Sequence, residues 1–141
     1  MTRAPPKLKR NHLSLPSKGG FGSVKIIEAK NAKAEQRSGG IFIGTVYITN
    51  LINRAVGSEE LRAAIVTFPP GTRNKFHIHD HEQILYVISG EGIVATEEEE
   101  RVVASGDIVL IPPGENHWHG ATKDSTFSHL YVCREETKTT S

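Results

Sequence analysis

From Ser58 onward the chain breaks into short β-rich runs, and each is closed by glycine, proline, serine or charged residues. "SEELRAAIVTF", "QILYVIS", "GIVAT", "RVVAS", "DIVLI" and "FSHLYV" are rich in Val, Ile and aromatic residues, which suit a pleated surface. Only "SEELRAA" reads equally well as the start of a helix. "PPG" ends its run with a turn, and "TEEEER", Thr96 to Arg101, reads as a solvated hairpin tip. Upstream, "SVKIIEAK" and "SGGIFIGTVYITNLI" read as further strands. Many short strands with little helix signal indicate an all-β sandwich or barrel.

The rest of the composition sets limits. A chain of 141 residues suits one domain with a real core. Its net charge of +1 points to no polyanionic partner. The charge is uneven, because the opening "MTRAPPKLKRNHLSLPSK" holds Arg3, Lys7, Lys9, Arg10 and Lys18 and no acid. Residues 1–22 are expected to form a solvated or partner-packed arm that binds neither nucleic acid nor membrane. The segment has no apolar h-region and does not read as a signal peptide. Residues 23–136 form the barrel domain and 137–141 a C-terminal tail. No apolar run approaches a membrane span. Cys133 is the only cysteine, so neither an internal disulfide nor a thiolate zinc site is available. A cytoplasmic protein is expected.

Three of the seven histidines fall in "GTRNKFHIHDHEQILYVISG", Gly71 to Gly90. In a strand, residues two apart share a face, so His77 and His79 project together and Ile78 points away. "ENHWHG" repeats the device with His117 and His119, and Trp118 points away. Two such pairs on different strands can converge inside a barrel, and neutral imidazole is the commonest protein ligand for transition metals.

These residues resemble a known family. Gly71, His77, His79 and Gly90 fall in the register of the first cupin motif. In "GDIVLIPPGENHWHGA", Gly106, Pro112, Gly114 and His117 fit the second motif, and Ala121 replaces the Asn that often closes it. The resemblance implies a cupin jelly-roll (a double-stranded β-helix) barrel, usually dimeric, with one divalent metal in its mouth. The family's acidic ligand is missing at the expected place: separated from Gly90 by six residues stands Gln83. A rival register would use Glu82, but Gln83 keeps that spacing and shares an inward face with Leu85 and Val87. The expected ligands are therefore His77, His79, Gln83 and His117, all neutral. Nitrogen and oxygen donors suit Mn, Fe, Ni, Co or Zn.

"HIHDHEQ" and "PPGENHWHGATKDSTFSHL" further resemble small cupins related to carboxymuconolactone decarboxylase fusions, a group that includes manganese-dependent hydroxynitrile lyases. This likeness runs from Val66 to about Val132. It implies manganese on three His and one Gln, with His119 and His129 acting beside the metal. The expected function is a metal-dependent lyase moving a proton on a small hydroxy- or oxo-organic substrate, in a homodimer. An Fe(II) dioxygenase and a non-catalytic small-ligand sensor are the alternatives. His81 is expected to face solvent, Trp118, Tyr86 and Phe127 to be packing residues, and Cys133 a small buried hydrophobe. His12, in the arm, has no site context.

Overall fold

Alternation decides which residues reach the inside. In "QILYVIS", Gln83, Leu85 and Val87 are buried while Ile84, Tyr86 and Ile88 are exposed. This is the period of two that sends successive side chains to opposite faces of a sheet. A computed structural model describes residues 3–4 and 23–141 of the chain. Apart from Arg3 and Ala4, the basic arm expected over residues 1–22 lies outside the described residues.

The early strands are β1 (Glu35–Arg37), β2 (Phe42–Ile43), β3 (Val46–Ile52), β4 (Leu61–Phe68), β5 (Arg73–Asn74) and β6 (Ile78–His79). There follow β7 (Gln83–Ser89), β8 (Glu91–Thr96), β9 (Glu100–Ala104), β10 (Ile108–Ile111), β11 (His117–Ala121), β12 (Phe127–Arg134) and β13 (Thr139–Thr140). One sheet runs β1-β3-β4-β12-β7-β10, a second runs β2-β5-β11-β8-β9, and β13 pairs with β6. Pairing is antiparallel throughout, and most spatial neighbours are not neighbours in sequence. That is the jelly-roll barrel the sequence predicts. Val46, Val66, Phe68, Val87, Ala121 and Phe127 pack between the two large sheets.

Two of the expected strands behave differently. "SVKIIEAK" forms no strand: it is extended chain leading into a single 3₁₀ turn at Ala29–Asn31. Val24 and Ile26 within it remain exposed, so its apolar residues have no sheet face to join. "SGGIFIGTVYITNLI" divides into β2 and β3 at Gly44, which takes the left-handed φ of 93°. The tip predicted at "TEEEER" joins β8 to β9, with the Thr96 hydroxyl accepting from the Glu98 and Glu99 amides. Trp118 and Phe127 are buried, whereas Tyr86 is exposed and not the packing residue expected. Gly90 closes the first motif at φ 77°, where an added Cβ would lie 1.7 Å from the Thr126 carbonyl oxygen. Only glycine fits there. Among the described residues, no helix is long and apolar enough to cross a membrane.

Candidate metal centre

The two histidine motifs are locked together by backbone. His77 donates its amide to the His117 carbonyl at 2.9 Å, and His117 donates back to His77 at 3.1 Å. The turn at Pro112–Gly114 adds a third tie, since the Gly114 amide donates to the His79 carbonyl at 2.9 Å. One tight junction of the barrel wall therefore positions all three imidazoles.

Their ligand atoms lie within 4.8 Å of one another, and all three residues are buried. Each ring is also held from behind. His77 Nδ1 bonds to the Lys75 carbonyl at 2.7 Å, His117 Nδ1 to the Glu115 carbonyl at 2.8 Å, and His79 Nδ1 to the Thr139 hydroxyl at 2.9 Å. A carbonyl only accepts, so it fixes the proton on Nδ1 and frees the Nε2 lone pair, as in protein metal sites. The Nε2 atoms of His79 and His117 are buried without a partner, and so is Gln83 Oε1, on the cavity wall shared with His77 and His79. Buried polar atoms are rarely left unpaired in native proteins. Here they are oriented donors, neutral and deprotonated, which is what a divalent ion requires. His77, His79 and His117 can hold a metal ion, and the surrounding residues fit one.

Behind the triad lie His119 and His129. The His119 ring stacks on that of His117 (centroids 5.8 Å apart, planes 16° apart) and meets His129 edge-on at 4.9 Å. Asn74 holds His119: its Oδ1 accepts the His119 amide at 2.8 Å, and its Nδ2 lies 3.3 Å from Nε2 and 3.4 Å from Nδ1. His129 packs against Phe68 and Phe127, and neither of its ring nitrogens has a partner. Burial holds His119 well below the ordinary imidazole range, helped by the neighbouring His129, and pushes His129 down to about 4. Both are neutral near pH 7. These residues line an open cavity of about 60 Å³ with Val66, Phe68 and Tyr131.

The structure thus brings His77, His79, Gln83, His119 and His129 to the wall of one cavity, with His117 against His77 and His79 beside it. Glu82, the rival to Gln83, is exposed. His81 departs from expectation. It is buried instead of facing solvent, stacked on His79 at 4.9 Å, with Nδ1 on the Glu82 carbonyl. The chain turns back into β7 immediately after it, which folds the ring against its neighbour. Asn74 and Thr139 escape sequence reasoning. A polar Asn between "GTR" and the histidine pair is a weak signal, and Thr139 reaches His79 only through the β13–β6 pairing.

The same burial makes the metal-free protein acid-labile. His77 is pushed down to about 4, first by burial, and His79 to about 3 by burial and the surrounding histidines. Above pH 6.5 neither folded nor unfolded chain protonates these rings. Between 6.5 and about 4 for His77, or about 3 for His79, only the unfolded chain does, so stability falls as the pH falls, and the loss levels off below about 3. The melting temperature of chelator-stripped protein, followed by circular dichroism from pH 7.5 to 4.5, is expected to drop progressively. A flat profile would contradict the arrangement.

Known proteins share this architecture. The cupin domain family, Cupin_2, matches residues 64–133. Over 94 residues the chain is 39% identical to the (R)-mandelonitrile lyase of Granulicella tundricola, spanning 64% of this chain and 70% of that protein. A stretch of 49 residues is 41% identical to the acireductone dioxygenase of Leptospira biflexa, spanning 32% of this chain and only 28% of that protein. A cupin-like protein from Thermotoga maritima has a similar structure, with a TM-score of 0.67 at 30% identity over 73% of this chain and 81% of that one. By its two antiparallel sheets, its paired histidine motifs and these likenesses, the chain belongs to the cupin superfamily.

Proposed function

We propose that the protein is a metal-dependent lyase acting on a small hydroxy- or oxo-organic molecule. The observation that carries this is the buried, neutral pair His119 and His129, set directly behind a metal-binding triad on one small cavity. Gln83 is the fourth ligand and manganese the favoured ion. With four neutral ligands, the ion would offer its full positive charge to a substrate oxygen. The neutral His119 accepts the proton of a substrate hydroxyl. The O–H pair becomes the second C=O bond as the adjacent C–C bond breaks, and its electrons leave with the departing carbanion, cyanide in a hydroxynitrile. The His119 imidazolium then returns the proton to that group. His129 stands beside it to share the charge. Similarity to a mandelonitrile lyase supports the reaction type.

Anaerobic reconstitution with Mn, Fe, Ni and Zn tests this, with assays on hydroxynitriles, keto acids and unsaturated uronates. Turnover by the Mn form without consumption of O2 is expected. Consumption of O2 by the Fe form would favour a dioxygenase, which the shorter likeness to acireductone dioxygenase supports. Tight, saturable binding with no turnover would make the protein a ligand sensor.

The assembly that goes with this function is a cytoplasmic homodimer joined through a sheet face. Ile84 and Tyr86 of β7 lie opposite Leu110 and Ile108 of β10, and all four are exposed on the outer face. These four side chains are apolar or uncharged, with Glu82 and Arg134 at their margin, so a second copy can cover the patch while leaving those charges at its rim. Sedimentation should show a dimer at micromolar concentration. Ile108→Glu with Leu110→Glu should yield a monomer, and a wild-type monomer would refute the assembly.

A further inference from the structure

Arg62 is a cation on the inner face of the six-stranded sheet whose place the reaction above does not explain. It pairs in register with Cys133 of β12, which in turn pairs with Gln83 of β7, so the three form a row across the barrel mouth. At normal strand spacing, Arg62 starts roughly 10 Å from Gln83, within reach of its long side chain plus a small ligand. The guanidinium lies 5.8 Å from the ring of Tyr131, a residue of the cavity wall.

Among the described residues, no carboxylate lies within ion-pair distance of it. Among the described residues the ion pairs join Arg37 to Glu35, Arg54 to Glu136, Arg101 to Glu99 and Arg134 to Asp80, all at the surface. Arg62 Nη2 instead donates to the Thr137 hydroxyl at 3.0 Å and lies 3.9 Å from Cys133 Sγ, while its Nε is buried with no partner. Burial keeps the Cys133 thiol and the Tyr131 phenol neutral. Glu135, the acid just after β12, makes no ion pair with it, and its own Oε2 is buried and unpartnered. A half-buried guanidinium without a counter-charge is costly unless an anion arrives to meet it. The planar fork suits a carboxylate, which it can bind bidentately.

We propose that Arg62 anchors a substrate carboxylate, so that the site takes a short hydroxy- or oxo-acid with its hydroxyl or carbonyl oxygen toward the histidine triad. This rests on the triad holding a metal, as argued above. Among the candidate substrates it favours carboxylates over neutral hydroxynitriles, and it gives the barrel mouth a second, charge-selective point of attachment.

Lactate and its neutral isostere lactamide separate the charge from the shape. Each is titrated calorimetrically into Mn-loaded wild type, Arg62→Gln and Arg62→Lys, with metal content measured in every sample. The expected result is a preference for lactate in wild type. In Arg62→Gln, lactate affinity falls about 10–100-fold with lactamide affinity and metal content unchanged, and Arg62→Lys recovers part of the loss. The variant comparison is essential, because a carboxylate also favours the ion itself. Equal losses for lactate and lactamide overturn the proposal, as does metal-loaded wild type that binds no lactate at millimolar concentration. A similar loss of lactate affinity in Glu135→Gln also overturns it, because Arg62 and Glu135 would then act as a structural pair. Failure of any sample to hold metal would instead sink the metal-site reading, which the metal analysis reports separately.

Discussion

His117→Ala is expected to abolish stoichiometric metal binding and leave the barrel folded. The substitution removes a donor whose Nε2 is buried and aimed at its neighbours, yet it keeps the amide and carbonyl that bridge to His77. Backbone pairing, not the imidazole, joins the two motifs, so the junction should survive. His77→Ala should behave alike. The loss should exceed the 10–100-fold that removal of an outer-shell partner typically costs. That lower range is expected for Thr139→Val, which takes away the hydroxyl behind His79 and leaves the ligand in place. Gln83→Ala should weaken binding, and Gln83→Glu should retain the ion while lowering affinity for anions by adding a negative charge. Metal per protein, measured by elemental analysis after desalting, decides among these outcomes. Should Glu82→Ala strip the metal while Gln83→Ala does not, the ligand register proposed here is wrong.

The contrast between His117 and Thr139 shows what was legible in the chain. Local spacing reveals His77, His79 and His117, because two residues apart on a strand means one face and the motif glycines fix the turns. It also separates Gln83 from Glu82, since alternation puts one inside and the other in water. Thr139 has no such local signal. Its role comes from β13 crossing to β6, a pairing between segments far apart in sequence. Arg62 is similar: the run "SEELRAAIVTF" places an arginine on the inner face by alternation, but its neighbours Cys133 and Thr137 lie on the far side of the sequence. "SVKIIEAK" misleads in the opposite way. It has strand composition, but β-propensity reports fit to a half-buried pleated surface, and no partner strand adjoins it. A turn residue such as His81 usually faces solvent; the stacking on His79 that buries it is a tertiary contact.

His119→Ala is expected to keep its metal and to lose turnover on the authentic substrate by about 10²–10⁴-fold, the usual contribution of a general acid–base group. The structure separates the two roles of "HWH". His117 and His119 share a face of β11, but only His117 belongs to the group whose ligand atoms converge. His119 stacks alongside, its ring 5.9 Å from His77, with Asn74 rather than a carbonyl against its nitrogens. Removing it should therefore leave the three ligands and their outer partners untouched. The cost in stability is that of a buried ring lost against Phe68 and His129, which circular dichroism would register separately from turnover. His119→Gln tests the chemistry more finely, because it restores polar bulk beside Asn74 without an imidazole to take the proton. It should be stable and nearly as slow as the alanine variant. His129→Ala should show a smaller loss of the same kind if His129 shares the charge through His119. Full turnover by metal-loaded His119→Ala would make His119 a packing residue and would end the acid–base mechanism.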